Sequence, residues 1–200
     1  MTTLGRSCRD ELTAYAPTDP AQAGLRQRFL DHLVAHPDDG WLRECAGAHL
    51  TASSLICSPD AAAVLLVHHR KLGRWLQTGG HLEPADPDLA AAALREAAEE
   101  SGLTDLRLLP GIVHLDAHQV PCGPIPPCWH LDVRHLVVAD PRQRPPGSAE
   151  STAVGWFAAD ELPTAEPSVT DLVTAARVVL CESREGQSRE AARPSTHPAR

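Results

Sequence analysis

The sequence predicts an α/β domain with helices packed on a central mixed β-sheet, and three observations carry that reading. Apolar runs of strand length follow one another from His49: LTASSLICS at 50–58 and AAAVLLVHH at 61–69, where Val64 to Val67 is the unbroken run of a strand buried on both faces. WHLDVRHLVVA at 129–139 alternates with the period of two that a strand imposes. Two other stretches repeat apolar residues at helical spacing, an alanine-rich one ending at Gly102 and one carrying Val169, Leu172, Val173, Ala176, Val179 and Leu180. Strands interleaved with helices make a layered domain.

In chain order, residues 1–45 read as an N-terminal helical extension, from the spacing of Leu25, Phe29, Leu33 and Val34. The main domain spans 46–182. Within it, IVHLDAH (112–118) and AVGWFAADEL (153–162) are short strand segments, the second ending in a turn, and Pro-rich loops occupy 120–128 and 140–147. The last helix is expected to stop near Glu182, leaving 183–200 as a disordered tail with almost nothing to bury.

The stretch GGHLEPADPDLAAAALREAAEESGL at 79–103 raises a question of its own. Asp86-Pro87-Asp88 is a helix start, with Asp86 as N-cap and Pro87 in the first turn, and Gly102 is the stop. At about 100° per residue, Ala90, Ala91, Leu94, Ala97 and Ala98 share one face, and Glu96, Glu99 and Glu100 fall on the opposite side. Like charges three and four residues apart destabilise a helix, so nothing about helix formation calls for this carboxylate comb. A hard divalent cation does, because Mg²⁺ binds through a few carboxylates while keeping waters and substrate phosphates. Gly79-Gly80 lets backbone approach the comb closely.

Together these residues resemble the Nudix box, G-x5-E-x7-R-E-U-x-E-E-x-G-U, where U is aliphatic. Gly80, Arg95, Glu96, Ala97, Glu99, Glu100, Gly102 and Leu103 fall on the pattern. There are two departures: Asp86 stands where the pattern has Glu, and eight residues rather than seven separate it from Arg95. The extra residue lies in the Pro/Asp turn or the helix start, so the three glutamates keep their mutual spacing. On this reading Asp86 keeps a capping role alone.

The resemblance implies a Nudix-type α/β/α sandwich and a hydrolase that cleaves a nucleoside diphosphate linked to another group, with Mg²⁺ or Mn²⁺ as cofactor. Carried over by position, Glu96, Glu99 and Glu100 hold the metal, Gly79 offers a backbone carbonyl to it, and Arg95 orients a glutamate. Glu150, three residues before AVGWF, is expected to add a further acidic ligand. His130, Asp132 and Arg134, on one strand face, and His81 in the glycine loop are the expected substrate-binding residues, against the plain reading of a solvated strand face. Trp75 and Trp129 read as core more readily than as stacking platforms for a base. His68, His69, Arg70, Lys71 and Arg74 precede the box as either phosphate attractors or surface. The chain contains no asparagine, so amide recognition of a base falls to a glutamine, with Gln77 and Gln119 nearest the site.

Other classes are disfavoured. A net charge of -8 with no basic cluster argues against nucleic acid as a partner, which leaves a small nucleotide-like molecule as substrate. No apolar run approaches the roughly 20 residues of a membrane helix, and MTTLGRSCRDEL has no signal-peptide core, so a cytoplasmic protein away from membranes is expected. Six cysteines without a CxxC pair read as reduced thiols, and His118, Cys122, Cys128 and His130 have spacing too irregular for a zinc motif. A non-catalytic nucleotide-binding module is the alternative function. A Nudix-fold isomerase is the other, although no further catalytic residues for one are evident. Oligomeric state is open, a homodimer included.

Overall fold

The computed structural model describes residues 2–121 and 126–191, with side chains to 182. Among the described residues, four helices, α1 (Thr3–Ala14), α2 (Pro20–Ala35), α3 (Leu89–Ser101) and α4 (Pro167–Ala191), surround one eight-stranded sheet. The strands are β1 (Ala48–Cys57), β2 (Ala63–His69), β3 (Arg74–Leu76), β4 (Thr78–His81), β5 (Arg107–Leu108), β6 (His114–Val120), β7 (Cys128–Val138) and β8 (Ser151–Ala158). The sheet is mixed: β1 and β7 run parallel in register from Ala48↔Trp129 to Cys57↔Val138, and the other pairings are antiparallel.

Strand alternation sorts the two central strands into faces. Leu50, Ala52 and Ile56 of β1, with Leu131, Val133 and Val137 of β7, pack toward α3 in two adjoining core clusters. Leu55 and Cys57, with Leu136 and Val138, pack instead on Val169, Leu172, Val173 and Ala176 of α4. Helices therefore cover both faces, which is the α/β/α layering expected. On the α4 side, the first halves of the same two strands carry His49, Thr51 and Ser53 opposite His130, Asp132 and Arg134. That polar patch is buried, and it forms the floor of the site.

The extension from residues 1 to 45 folds as two helices and shares the core beneath α3: Leu4, Cys8, Leu12, Phe29, Leu33 and Trp41 cluster with Leu50, Leu89, Ala92 and Leu131. The expected inward Val34 points out, 63% exposed, because the stripe that packs runs through Gln22, Phe29 and Leu33. Gln22 is buried and fastened at both ends of its amide, its Nε2 donating to the Leu115 carbonyl at 3.0 Å and its Oε1 accepting from the Leu115 N–H at 2.7 Å. At the other end of the chain, α4 passes the expected stop at Glu182 and runs to Ala191. Glu, Arg and Gln lose little entropy on becoming helical, so a segment poor in apolar residues can prolong a helix already anchored by its first turns. The remainder of the expected tail, 192–200, lies outside the described residues.

Candidate active site

Helix α3 and strand β4 build the site. The helix is capped by Asp88, whose carboxylate accepts the Ala91 N–H at 2.7 Å, and it ends at Gly102 with φ 68°. Asp86 is thus not the cap. Asp88 has taken that role, being the residue immediately before the first helical turn, and Asp86 is turned instead onto Arg95. Arg95 donates from Nε to Asp86 Oδ1 at 3.1 Å and from Nη2 to Oδ2 at 3.0 Å. Asp86 also accepts the Glu83 N–H at 2.8 Å. The other arm of Arg95 reaches Glu96 Oε1 at 2.9 Å and Glu99 Oε2 at 3.4 Å, and Nη2 further donates to the His81 carbonyl at 3.0 Å.

The packed face of α3 differs from the expected one. Leu89, Ala92, Ala93, Ala97 and Glu100 are buried, while Ala98 is exposed. Glu100 continues the Ala93–Ala97 stripe at i+4 and i+7, so one glutamate of the comb belongs to the packed face, where Gly79 meets it.

Gly79-Gly80, expected as a loop, lies in β4 and pairs with the first half of β1, Ser53↔Gly79 and Ala52↔Gly80. Close packing explains both glycines. A Cβ on Gly80 would stand 2.6 Å from Glu96 Oε1, and one on Gly79 would stand 2.7 Å from the Ser53 Cα, at a φ of 157°. The Gly79 N–H donates to Glu100 Oε2 at 3.0 Å, which fixes that carboxylate against the strand.

The electrostatics are those of an uncompensated acidic cluster. Burial pushes the Glu100 carboxyl up to about 7; the Gly79 hydrogen bond opposes this, and the charges of Glu96, Glu150 and Glu99 add to it. Glu96 is also raised by burial, although Arg95 offsets part of the effect. Arg95 itself is held cationic, first by its hydrogen bonds to Asp86. Glu150, just ahead of β8, is exposed, and its charge bears on both Glu96 and Glu100. A single arginine cannot neutralise four carboxylates. Their donors are all hard oxygens, so the set fits a divalent cation of the Mg²⁺ kind.

The polar floor adjoins this cluster. A cleft of about 100 Å³ is lined by Gly79, Gly80, Glu100, Thr51, Asp132 and His130, among others. Asp132 accepts from Thr51 at 3.0 Å and from Ser53 at 2.7 Å. Burial alone would raise its carboxyl, but Arg134 and these hydroxyls hold it below the usual range. Arg134 is fully committed: Nε donates to Asp132 at 2.7 Å, Nη2 pairs with Asp116 at 3.0 Å, and Nη1 donates to the Ser168 carbonyl at 2.7 Å. His118 closes the chain on Asp116 at 2.7 Å. Beyond the cleft opens a larger cavity of about 530 Å³, lined by Gln77, Gln119, His118 and Arg134 with Arg74 and Glu166 at its edge. The Gln77 Oε1 is buried and has no hydrogen-bond partner. Another cavity, of about 600 Å³ between α2, β6 and α4, is remote from the carboxylates.

The expected residues thus converge unequally. Glu96, Glu99, Glu100, Arg95, Gly79 and Glu150 gather at one place, and His130 and Asp132 line the cleft beside them. Trp75 stacks edge-on against Phe157, ring centres 4.8 Å apart, and Trp129 lies under the Arg28 guanidinium at 4.2 Å, so the structure assigns both to packing. Arg70 is bound to the carbonyls of Ala149 and Ser151, and Arg74 pairs with Glu166. Cys8, Cys45, Cys57 and Cys181 are free thiols, Cys128 contacts His49, and Cys122 lies outside the described residues. Sequence reasoning missed Thr51, Ser53, His49 and Asp116. The first two were available, since the polar positions of LTASSLICS alternate with Leu50 and Ala52.

Comparison with known proteins places the fold in a family. The family model of the NUDIX domain matches residues 47–177, and the chain belongs to the Nudix family. It is a Nudix hydrolase, and enzymes of this family generally need a divalent metal. An Ap4A hydrolase from C. elegans shares the fold with a TM-score of 0.52, at 18% identity over 66% of this chain and 98% of that one. The E. coli dihydroneopterin triphosphate pyrophosphohydrolase does so with a TM-score of 0.51, at 17% identity over 66% and 95%. No curated protein sequence matches the chain. Among the described residues no helix is long and apolar enough to cross a membrane.

Proposed function

We infer that the enzyme hydrolyses the diphosphate linkage of a nucleoside diphosphate joined to another group, with Mg²⁺ or Mn²⁺ on Glu96, Glu99 and Glu100. The observation that carries this reading is the gathering of Glu96 and Glu99 on Arg95 with Glu100 on the Gly79 N–H, under the charge of Glu150 and beside a cleft lined by Glu100, Gly79 and Gly80. The bound cation would neutralise diphosphate charge and lower the pKa of a bound water. The chain's own residues do the rest. Arg95, tied to Asp86 and the His81 carbonyl, keeps Glu96 and Glu99 aimed by charge-assisted hydrogen bonds. Glu150 adds an exposed carboxylate whose charge is felt at Glu96 and Glu100, and the Gly79 carbonyl adds a neutral oxygen.

His81, His130, Asp132 and Arg134 are proposed to shape the substrate side of the cleft. Arg134 and Asp132 have their hydrogen bonds filled from within, so they act as a rigid wall beside half-buried His81 and His130. Gln77, with its unsatisfied carbonyl in both cavities, is suited to read a base edge. The test is a panel of nucleoside triphosphates, dinucleoside polyphosphates including Ap4A, nucleotide sugars, ADP-ribose and dihydroneopterin triphosphate. Phosphate or pyrophosphate release is followed with Mg²⁺ and with Mn²⁺. Turnover of at least one member is expected, and turnover of none would favour a binding module.

A further inference from the structure

Histidine is concentrated on the floor of this sheet in a way that diphosphate hydrolysis does not require. His49 opens β1, His130 stands directly beside it on β7, and His81 on β4 pairs with Thr51, two residues along the same face of β1. The three ring centres are 4.8 to 5.1 Å apart. One possible ligand atom from each lies within 4.8 Å of the other two. His49 is completely buried, and its Nε2, like the Nε2 of His81, is buried without a hydrogen-bond partner.

The unpartnered nitrogens of His49 and His81 make a poor packing arrangement, because they lose their hydration with no hydrogen bond in return. They make a good ligand set. An unprotonated imidazole nitrogen is a ligand for borderline divalent ions, and one such atom from each of the three residues lies close enough to the other two to share an ion. Cys128 Sγ lies 3.8 Å from His49 Nδ1, so one nitrogen of this ring has a partner and the buried Nε2 is left for a ligand role.

We propose that His49, His81 and His130 form a second metal site, for Zn²⁺ or another imidazole-preferring divalent ion, distinct from the carboxylate site on α3. Nitrogen donors select against Mg²⁺, which takes oxygen, so the two sites discriminate by chemistry. Three protein ligands leave a fourth position to water. The site also clamps β4, whose His81 carbonyl holds Arg95, so its metal steadies the residue that aims the glutamates. This differs from the set of His118, Cys122, Cys128 and His130 considered from the sequence: His118 is engaged with Asp116.

The purified protein is stripped with chelator and titrated with Zn²⁺ in excess Mg²⁺, and bound metal is counted. One equivalent of Zn²⁺ retained through dialysis against Mg²⁺ is expected, with a raised Tm. Co²⁺ in its place should give the intense visible bands of a four-coordinate nitrogen site. Glu99→Gln/Glu100→Gln should keep that equivalent, and His130→Gln and His81→Gln should lose it. His49→Gln is a further variant, but its ring is fully buried and the wild-type Co²⁺ spectrum stands without it. Zn²⁺ that washes out of the wild type, weak six-coordinate Co²⁺ bands, or Zn²⁺ lost with the glutamates and kept without His130 would overturn the proposal.

Discussion

Asp86 and Arg95 meet through two parallel hydrogen bonds, Nε to Oδ1 at 3.1 Å and Nη2 to Oδ2 at 3.0 Å, with the aspartate almost wholly buried. The shorter Asp therefore has more than the capping role expected of it, and the cap is Asp88. The extra residue in the turn lengthens the chain between Asp86 and Arg95, so the carboxylate still reaches. Asp86→Ala strands a half-buried guanidinium and is expected to cost about 2–3 kcal/mol and to lower turnover as Glu96 and Glu99 lose their aim. Asp88→Ala, the true cap, should cost only about 1 kcal/mol with turnover unchanged. Urea unfolding and steady-state kinetics on the two variants separate the roles; an active, merely destabilised Asp86→Ala would reduce the pair to a structural one.

How far the sequence carried depends on whether a residue's partner was local. The mutual spacing of Arg95 and the comb was legible because helical periodicity alone sets it, but which face of α3 packs was not, since Glu100 is buried on the packed side; β2 was legible from its unbroken apolar run and β7 from its alternation. The roles of Asp86 and Asp88 were interchangeable on paper, since both precede the helix, and only the position of Arg95 in space decides between them. Glycine signals in β4 read as a loop because the reason for them, the Ser53 backbone on a neighbouring strand, is some two dozen residues away. The His49–His81–His130 grouping had no local signal at all. It exists through strand register.

Glu100 makes stability depend on pH in the metal-free enzyme. Its carboxyl is raised to about 7, so the folded state holds a proton that the unfolded chain releases near pH 4.3. The native state binds the extra proton between those values. Stability from this group is therefore full below about pH 4.3 and is lost as pH rises to about 7. Thermal melts in EDTA across pH 4.5–8 should show this decline superimposed on other titrations, and Glu100→Gln should flatten it. An unchanged slope in the variant would place the proton elsewhere.

The N-terminal helices are expected to be integral to stability and remote from chemistry. Phe29 is fully buried in the cluster beneath α3. Phe29→Ala should lower unfolding free energy by about 3–5 kcal/mol. Below its Tm the variant should retain kcat within about twofold, or roughly 0.4 kcal/mol in barrier. Loss of activity without loss of stability would instead tie the extension to the site.

The two glycines should separate sharply. Alanine at Gly80 meets only the end of the Glu96 side chain, so that carboxylate is displaced while the strand holds; activity should fall by about tenfold or more with stability changed by less than about 1 kcal/mol. Alanine at Gly79 meets Ser53 backbone, which cannot give, and should unfold the protein or cost several kcal/mol. Equal, mild effects at both positions would mean that β4 is less closely held than these contacts require.

The comb itself gives the most direct test of mechanism. Glu99 is largely exposed and Glu100 is buried on the Gly79 N–H, yet both are assigned to the same cation. Glu→Gln keeps size and an acceptor oxygen and removes charge. If the carboxylates hold metal, each substitution should lower kcat by about 100-fold or more, since that loss needs only about 3 kcal/mol of the stabilisation a metal supplies. Metal-free stability should hold or rise, because the like-charge contact with Glu96 and Glu150 is relieved. Mg²⁺ or Mn²⁺ should raise the Tm of the parent and leave that of Glu99→Gln/Glu100→Gln unmoved. If the comb were only a solvated face, both single variants would turn over like the parent and neither ion would shift its melting. That pair of results, on a substrate the parent cleaves, would sink the metal assignment at these two residues.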